Sequence, residues 1–304
     1  ASRAAWGIGS AFVFVGAFST VTHVTTSANR GRWVGYMRGG QSLGFPTGLI
    51  LGGVVTELYG YAEAFAVAGC AGLFAAAVAY RVLPNVSPEV GEKSRLRDVP
   101  ALVRADTRIG AVGAVNFTIR FLYAGVLLST VVLYTEANDI SLGGFAGAGT
   151  SGLVMAVSVV ALAVSNLAVG RFSDSMGRLT TVVPGLAVFG SGFALTALVP
   201  TAPGVLAGVG LVGAGAGLTG PPLLAYLGDI APGGDVGKLG GVYNVFGDLG
   251  STLGPLVALP LAAEIGLSGE YLACVGLVVV AGVIAATTLR DDSAADAAAV
   301  AGDD

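Results

Sequence analysis

Apolar residues run through this chain in long blocks rather than in alternation. Blocks of about 20 residues recur at 4–26, 36–56, 62–83, 109–134, 144–168, 180–199, 203–228, 238–261 and 266–289, with short polar breaks between them. Strand-type alternation is absent, and a backbone in lipid must satisfy its own hydrogen bonds, so each block predicts a membrane-spanning helix. The expected fold class is all-α integral membrane, with nine spans. The longest polar stretch, 84–108, reads as a linker, with three spans before it and six after. The expected organisation is therefore a helical unit over 1–83, the linker at 84–108, a six-helix bundle over 109–290 and a polar tail at 291–304.

A repeat runs beneath this pattern. Gly35, Gly44 and Gly48 form G-x8-G-x3-G, and so do Gly241, Gly250 and Gly254, displaced by 206 residues. The same offset pairs Gly7 with Gly213, Gly9 with Gly215, Gly31 with Gly237 and Gly60 with Gly266. Repeated helical units are the usual construction of membrane transporters, so a duplicated bundle is the expected origin. The first span begins almost at residue 1, with no initiator methionine or signal peptide, which suggests a chain starting partway through a longer protein.

Composition sharpens the membrane reading. Charged residues make up 11% of the chain, where a soluble domain carries about a quarter, and mean hydropathy is +0.80. The 49 glycines would weaken helices in water, but in lipid they let helix backbones approach closely. Five of the acids, Asp291, Asp292, Asp296, Asp303 and Asp304, lie in the alanine-rich tail, which reads as disordered. Cys70 and Cys274 fall inside apolar blocks, where a disulfide framework is not expected.

The basic residues divide by side. Arg30, Arg32, Arg38, Arg81, Lys93, Arg95, Arg97, Arg104, Arg108, Arg171, Arg178, Lys238 and Arg290 fall in or beside alternate connections, while the opposite connections hold Glu57, Glu136, Asp139, Glu264 and Glu270. The positive-inside rule makes the basic side cytoplasmic and places the C-terminus there.

The connection from Gly170 to Arg178, GRFSDSMGR, resembles the signature loop G-x-L-x-D-x-x-G-R of the major facilitator superfamily, through Gly170, Asp174, Gly177 and Arg178. The start, Arg3-x3-Gly7-x-Gly9, resembles that family's fourth-helix motif. The series Gly35, Gly44, Gly48, Gly52 and Gly53 resembles its fifth-helix motif associated with antiporters, although Leu49 stands where the motif has proline. The second copy, Gly241, Gly250 and Gly254, keeps that proline as Pro255. The resemblance implies a major-facilitator-type bundle of two pseudo-repeated halves, in which the nine spans are helices four to twelve and the first three are missing. It also implies a gating role for the loop and links Arg3 to proton coupling. The glycine ladders read either as faces on which the two halves rock or as ordinary close packing.

Three side chains carry the candidate chemistry. Arg120 lies about 18 Å into its span by helical rise, a costly depth for a charge, with Asn116 and Tyr123 on the same face. It reads as a binder of an anionic group or modulator of a proton site, or else as a structural ion pair or a snorkelling cation. Asp248, about 15 Å into its own span, reads as a partner for Arg120, a proton acceptor or a packing group, with Tyr243 and Asn244 nearby. His23, Gln41, Thr47 and Asn166 read as interfacial groups or interhelical glue.

Other classes find little support. No G-x4-GKS/T motif offers ATP drive, and a single histidine excludes HExxH chemistry, so no enzyme, cofactor or metal site is expected. The expected function is a multi-pass secondary active transporter of the cytoplasmic membrane, moving a small organic solute by alternating access in proton-coupled efflux. A symporter or uniporter on the same fold, or a non-transporting or inactive protein, is the alternative. Its expected partners are the lipid bilayer, the solute and protons, with no nucleic acid, and it is expected to be a monomer.

Overall fold

The computed structural model describes residues 30–83, 106–145, 147–176, 179–230 and 236–289, with a few isolated positions elsewhere. The described residues are helical almost throughout. They fall into two compact units, Ala1–Lys93 and Ser94–Asp304.

In the first unit, α1 (Arg30–Tyr59) packs on α2 (Tyr61–Val82). The second unit begins with α3 (Thr107–Ala137), whose middle, Phe121–Leu127, is a π-helix. It continues with α4 (Gly147–Met176), α5 (Val182–Leu198), α6 (Ala202–Asp229), α7 (Val236–Ile265) and α8 (Leu267–Thr288).

The 206-residue offset holds for backbone as well as for glycines. Both α1 and α7 have 30 residues, both α2 and α8 have 22, and each pair starts and stops at equivalent positions. One glycine joins each pair. Gly60 has φ 108° and ψ 170°, and its counterpart Gly266 has φ 75° and ψ 160°. That region of backbone space is open essentially only to glycine. Gly266→Ala is therefore expected to destabilise the second unit by about 1–3 kcal/mol in thermal unfolding, although open space surrounds its missing side chain. Unchanged stability would mean that the turn is not held in this conformation.

The described residues carry part of the expected set of spans. Among the described residues six helices are long and apolar enough to cross a bilayer: α2, α3, α4 (through Val169), α6, α7 (from Leu239) and α8. The expected second span falls in α1, where Gln41, Ser42, Pro46 and several glycines dilute the apolar run. The expected sixth span falls in α5, apolar but 17 residues long. The expected first span lies almost wholly outside the described residues, as does the tail at 291–304.

Small residues set the packing of the second unit. On α6, Gly213 lies against the Ser158 carbonyl of α4 and Gly215 against Phe189 of α5. A Cβ on Gly217 would sit 2.5 Å from the Leu162 carbonyl. So α6 is clasped on two sides by backbones with no room for side chains between. The pair α3–α7 meets in the same manner. A Cβ on Gly250 would lie 2.5 Å from the Phe117 carbonyl, and one on Gly125, in the π segment, 2.6 Å from the Gly254 Cα. α8 closes the bundle over α3 and α5, and Tyr271 meets Tyr134 at a tilt (4.9 Å between centroids) and Phe193 edge to face (5.8 Å).

In the second copy of the glycine ladder, Gly250 and Gly254 serve close packing of α7 on α3; in the first, a Cβ on Gly44, Gly48 or Gly52 would meet nothing within 4 Å among the described residues.

α3 starts at a defined cap. The Asp106 carboxylate accepts from the Arg108 amide (2.8 Å) and is bracketed by its guanidinium (3.0 and 3.2 Å). The hydrogen-bonded guanidinium holds the Asp106 carboxyl below its ordinary 3.8, against the opposing effect of burial. A depressed folded value means that the carboxylate contributes stability above the unfolded value, which is lost as pH falls through the folded one. Asp106→Ala is expected to cost about 0.5–2 kcal/mol at neutral pH and to flatten that acid limb. A variant as stable as the parent in pH-resolved thermal melts would remove the cap from the account.

Candidate solute site on the second unit

Arg120 ends the α-helical part of α3, at the lip of the π segment. A π turn widens the helix locally and commonly marks a functional position. The Arg120 residue is exposed on a face of the bundle, while Asn116, one turn earlier, is buried with 3% of its surface exposed. The Asn116 side-chain amide donates to the Tyr243 carbonyl of α7 (2.7 Å). The Tyr243 hydroxyl in turn donates to the Gly220 carbonyl of α6 (3.4 Å) and lies within the electrostatic reach of Arg120.

Gly247 makes this arrangement possible. A Cβ there would fall 2.9 Å from Asn116 Nδ2, 3.2 Å from Arg120 Cγ and 3.6 Å from Arg120 Nε. The arginine stem therefore crosses α7 at a position with no side chain. On the other side of α3, Ser158 of α4 donates to the Tyr123 hydroxyl (3.3 Å). Three of the residues expected to share a site, Arg120, Asn116 and Tyr243, do come together, and Tyr123 is tied to α4.

Asp248 and Asn244 do not join them. Both are exposed on α7, and among the described residues Arg120 forms no ion pair with Asp248 or any other carboxylate. Of the readings open for Asp248, the pairing with Arg120 is not formed here: one residue further along a helix turns the side chain by about 100°, and Asp248 follows Gly247, where the arginine passes. The signature-loop residues are only partly visible. The backbone stays helical through Met176, so Gly170 and Asp174 occupy the last turns of α4 rather than a loop, and Gly177 and Arg178 lie outside the described residues. Arg3 lies outside them too.

The sequence reading missed Gly247, Gly220 and Ser158. For Gly247 a signal existed, since the repeat offset pairs it with Gln41 and so marks a position where the two copies diverge from large to absent side chain. Among the described residues no cluster of three metal-ligating side chains occurs.

Chemically, the arrangement is an exposed cation with planar donors, set in a membrane-length helix beside Asn116 and Gly247. Such a group matches a carboxylate or phosphate in two-point contact.

The fold and this site define a polytopic helical membrane protein with a polar station on one bundle. The family model of the Major Facilitator Superfamily matches residues 1–143 and 137–303, and the chain belongs to that family. A relative in Haemophilus influenzae named for metabolite transport is 30% identical over 167 residues, covering 52% of this chain and 36% of that one. The uncharacterized MFS-type transporter MJ1560 of Methanocaldococcus jannaschii is 21% identical over 270 residues, covering 87% of this chain and 68% of its own. The first of these relatives is thus much longer than the segment matched. Among solved structures, a bacterial homologue of the human lysosomal transporter Spinster, inward-facing and unoccupied, superposes with TM-score 0.66 at 13% identity, covering 88% of this chain and 72% of that one. The Escherichia coli fucose:proton symporter FucP superposes with TM-score 0.58 at 15% identity, covering 90% and 72%. At these identities the likeness is one of fold.

Proposed function

We propose that this chain works in secondary active transport, moving a small organic solute with an anionic group across the cytoplasmic membrane by alternating access. The single observation that carries the reading is Arg120: a guanidinium deep in a membrane-length helix, exposed, without a counter-ion among the described residues, and framed by Asn116 and Tyr243. A charge at that depth is costly, and an anionic solute would offset the cost when bound. Family membership supports transport as the class of activity.

Protons are the proposed coupling ion and export the proposed direction, supported by the resemblance of the Gly35–Gly53 series to the antiporter-type fifth-helix motif. The basic connections support a cytoplasmic C-terminus. The signature-loop residues Gly170, Asp174, Gly177 and Arg178 are proposed to hold one access state. The organisation proposed is two bundles joined by the 84–108 segment, acting as a monomer.

The test is proton movement in liposomes containing the chain and an internal pH dye, challenged with small organic carboxylates and phosphates. Solute-dependent proton flux against the solute supports exchange, and flux with it would replace export by symport. A folded protein that moves no proton and no labelled solute would end the transport reading.

A further inference from the structure

A second polar feature lies apart from Arg120. The sequence pattern puts Glu270 in a polar break facing water, but the structure buries it. Because Gly266 alone forms the turn, α8 is already under way at Leu267, and Glu270 points into the bundle with 1% of its surface exposed. Among the described residues, neither of its carboxyl oxygens has a hydrogen-bond partner.

Beside it is a cavity of about 70 Å³. Phe121 and Val126 of the π segment and Val257, Ala258 and Leu261 of α7 form its far walls, and Cys274 lies one turn along α8. Glu270 supplies the one carboxyl of this lining. At that size the space has no room for an organic solute. A metal cation needs about six oxygens, which this lining does not offer.

The titratable neighbours are few. On α8 itself they are Tyr271, whose hydroxyl pairs with Thr130 of α3 (3.1 Å), and Cys274; from the end of α3 comes Tyr134, tilted against Tyr271 with its hydroxyl given to the Thr196 carbonyl. The α3 and α7 walls of the cavity contribute no titratable group, and α5 contains none. No cation among these neighbours compensates a carboxylate. An unpaired buried charge costs several kcal/mol or more, and such a group neutralises instead.

We propose that Glu270 is a proton-binding site of the second unit, carrying its proton while the π segment of α3 stays packed on α7. Release passes the carboxyl proton to a water molecule that enters as the packing opens, and leaves a carboxylate, which the closed packing does not accommodate. Ionisation therefore accompanies loosening of the contact where Gly125 meets Gly254. This assignment goes beyond the solute site and stands without it, since proton occupancy is read with no substrate and no flux.

The experiment is infrared difference spectroscopy of the full chain in liposomes at neutral pH, with 13C-labelled glutamate. The wild type is expected to show the carbonyl stretch of a protonated carboxylic acid, shifted by the label, and Glu270→Gln to lose it. A wild-type spectrum with no label-shifted protonated band overturns the proposal, as does a band that persists in a folded Glu270→Gln. Should that variant not fold, the wild-type spectrum still decides, together with Glu270→Met. The methionine is expected to melt within a few degrees of wild type, because it fills the same space without charge. A large loss of stability in Glu270→Met that Glu270→Asp does not share would show that the fold needs the carboxylate charge, and would also overturn the proposal.

Discussion

Arg120→Ala is expected to lower solute flux about 10- to 100-fold at sub-saturating solute, the loss of one charge-assisted contact worth about 1.5–3 kcal/mol. The guanidinium is exposed on its face and forms no ion pair among the described residues, so its removal orphans no buried carboxylate and leaves the bundle folded. Arg120→Lys should fall between, because it keeps the charge but loses the planar fork. Equilibrium exchange of labelled solute in liposomes is the measurement, with size-exclusion behaviour as the check on folding. Unchanged exchange by a folded Arg120→Ala would remove this residue from the mechanism. Tyr243 offers an internal comparison. Its hydroxyl reaches only a carbonyl at 3.4 Å, so Tyr243→Phe is expected to alter flux much less than Arg120→Ala.

The largest expected effect on stability is at Gly213. Any Cβ there runs into the Ser158 carbonyl of α4, and because the obstacle is backbone it cannot rotate aside. Gly213→Val should cost about 3 kcal/mol or more, the upper end of overpacking, and lower the yield of monodisperse protein. The damage should reach the solute site as well, since Ser158 also holds the Tyr123 hydroxyl. A variant with wild-type melting behaviour would show that α4 and α6 are not in backbone contact. Gly210, three residues away, is the control: a Cβ there meets only Val157 Cγ1 at an ordinary 3.7 Å, so Gly210→Ala should be nearly silent.

These two positions show what was legible in the sequence. Helix existence was, because apolar blocks of membrane length admit little else, and the glycine offset even carried the ends of α7 and α8 onto those of α1 and α2. Spacing along a helix was legible too, which is how Asn116 was placed one turn from Arg120. Direction around a helix was not. Asp248 matches Arg120 in depth yet faces elsewhere, while the silent position beside it, Gly247, is where the arginine crosses. The π segment left no trace, since Phe121–Leu127 reads as any apolar stretch and differs only in its hydrogen-bond register. Glu270 was misplaced because a carboxylate near a block boundary looks like a turn residue, and only a turn as short as Gly266 could put it inside.

The single-glycine junction at Gly266 has a mechanical consequence. A loop of several residues absorbs a tilt of one helix without disturbing the next, but one residue with a restricted backbone leaves no slack. Any swing of α7 at that end must therefore be handed to α8 as a lever hands on its stroke, and Glu270, one turn beyond the pivot, rides the short arm. The same one-residue joint between α1 and α2 gives the first unit the same stiffness. Lengthening either joint by a few flexible residues would uncouple the pair while leaving every packed face in place.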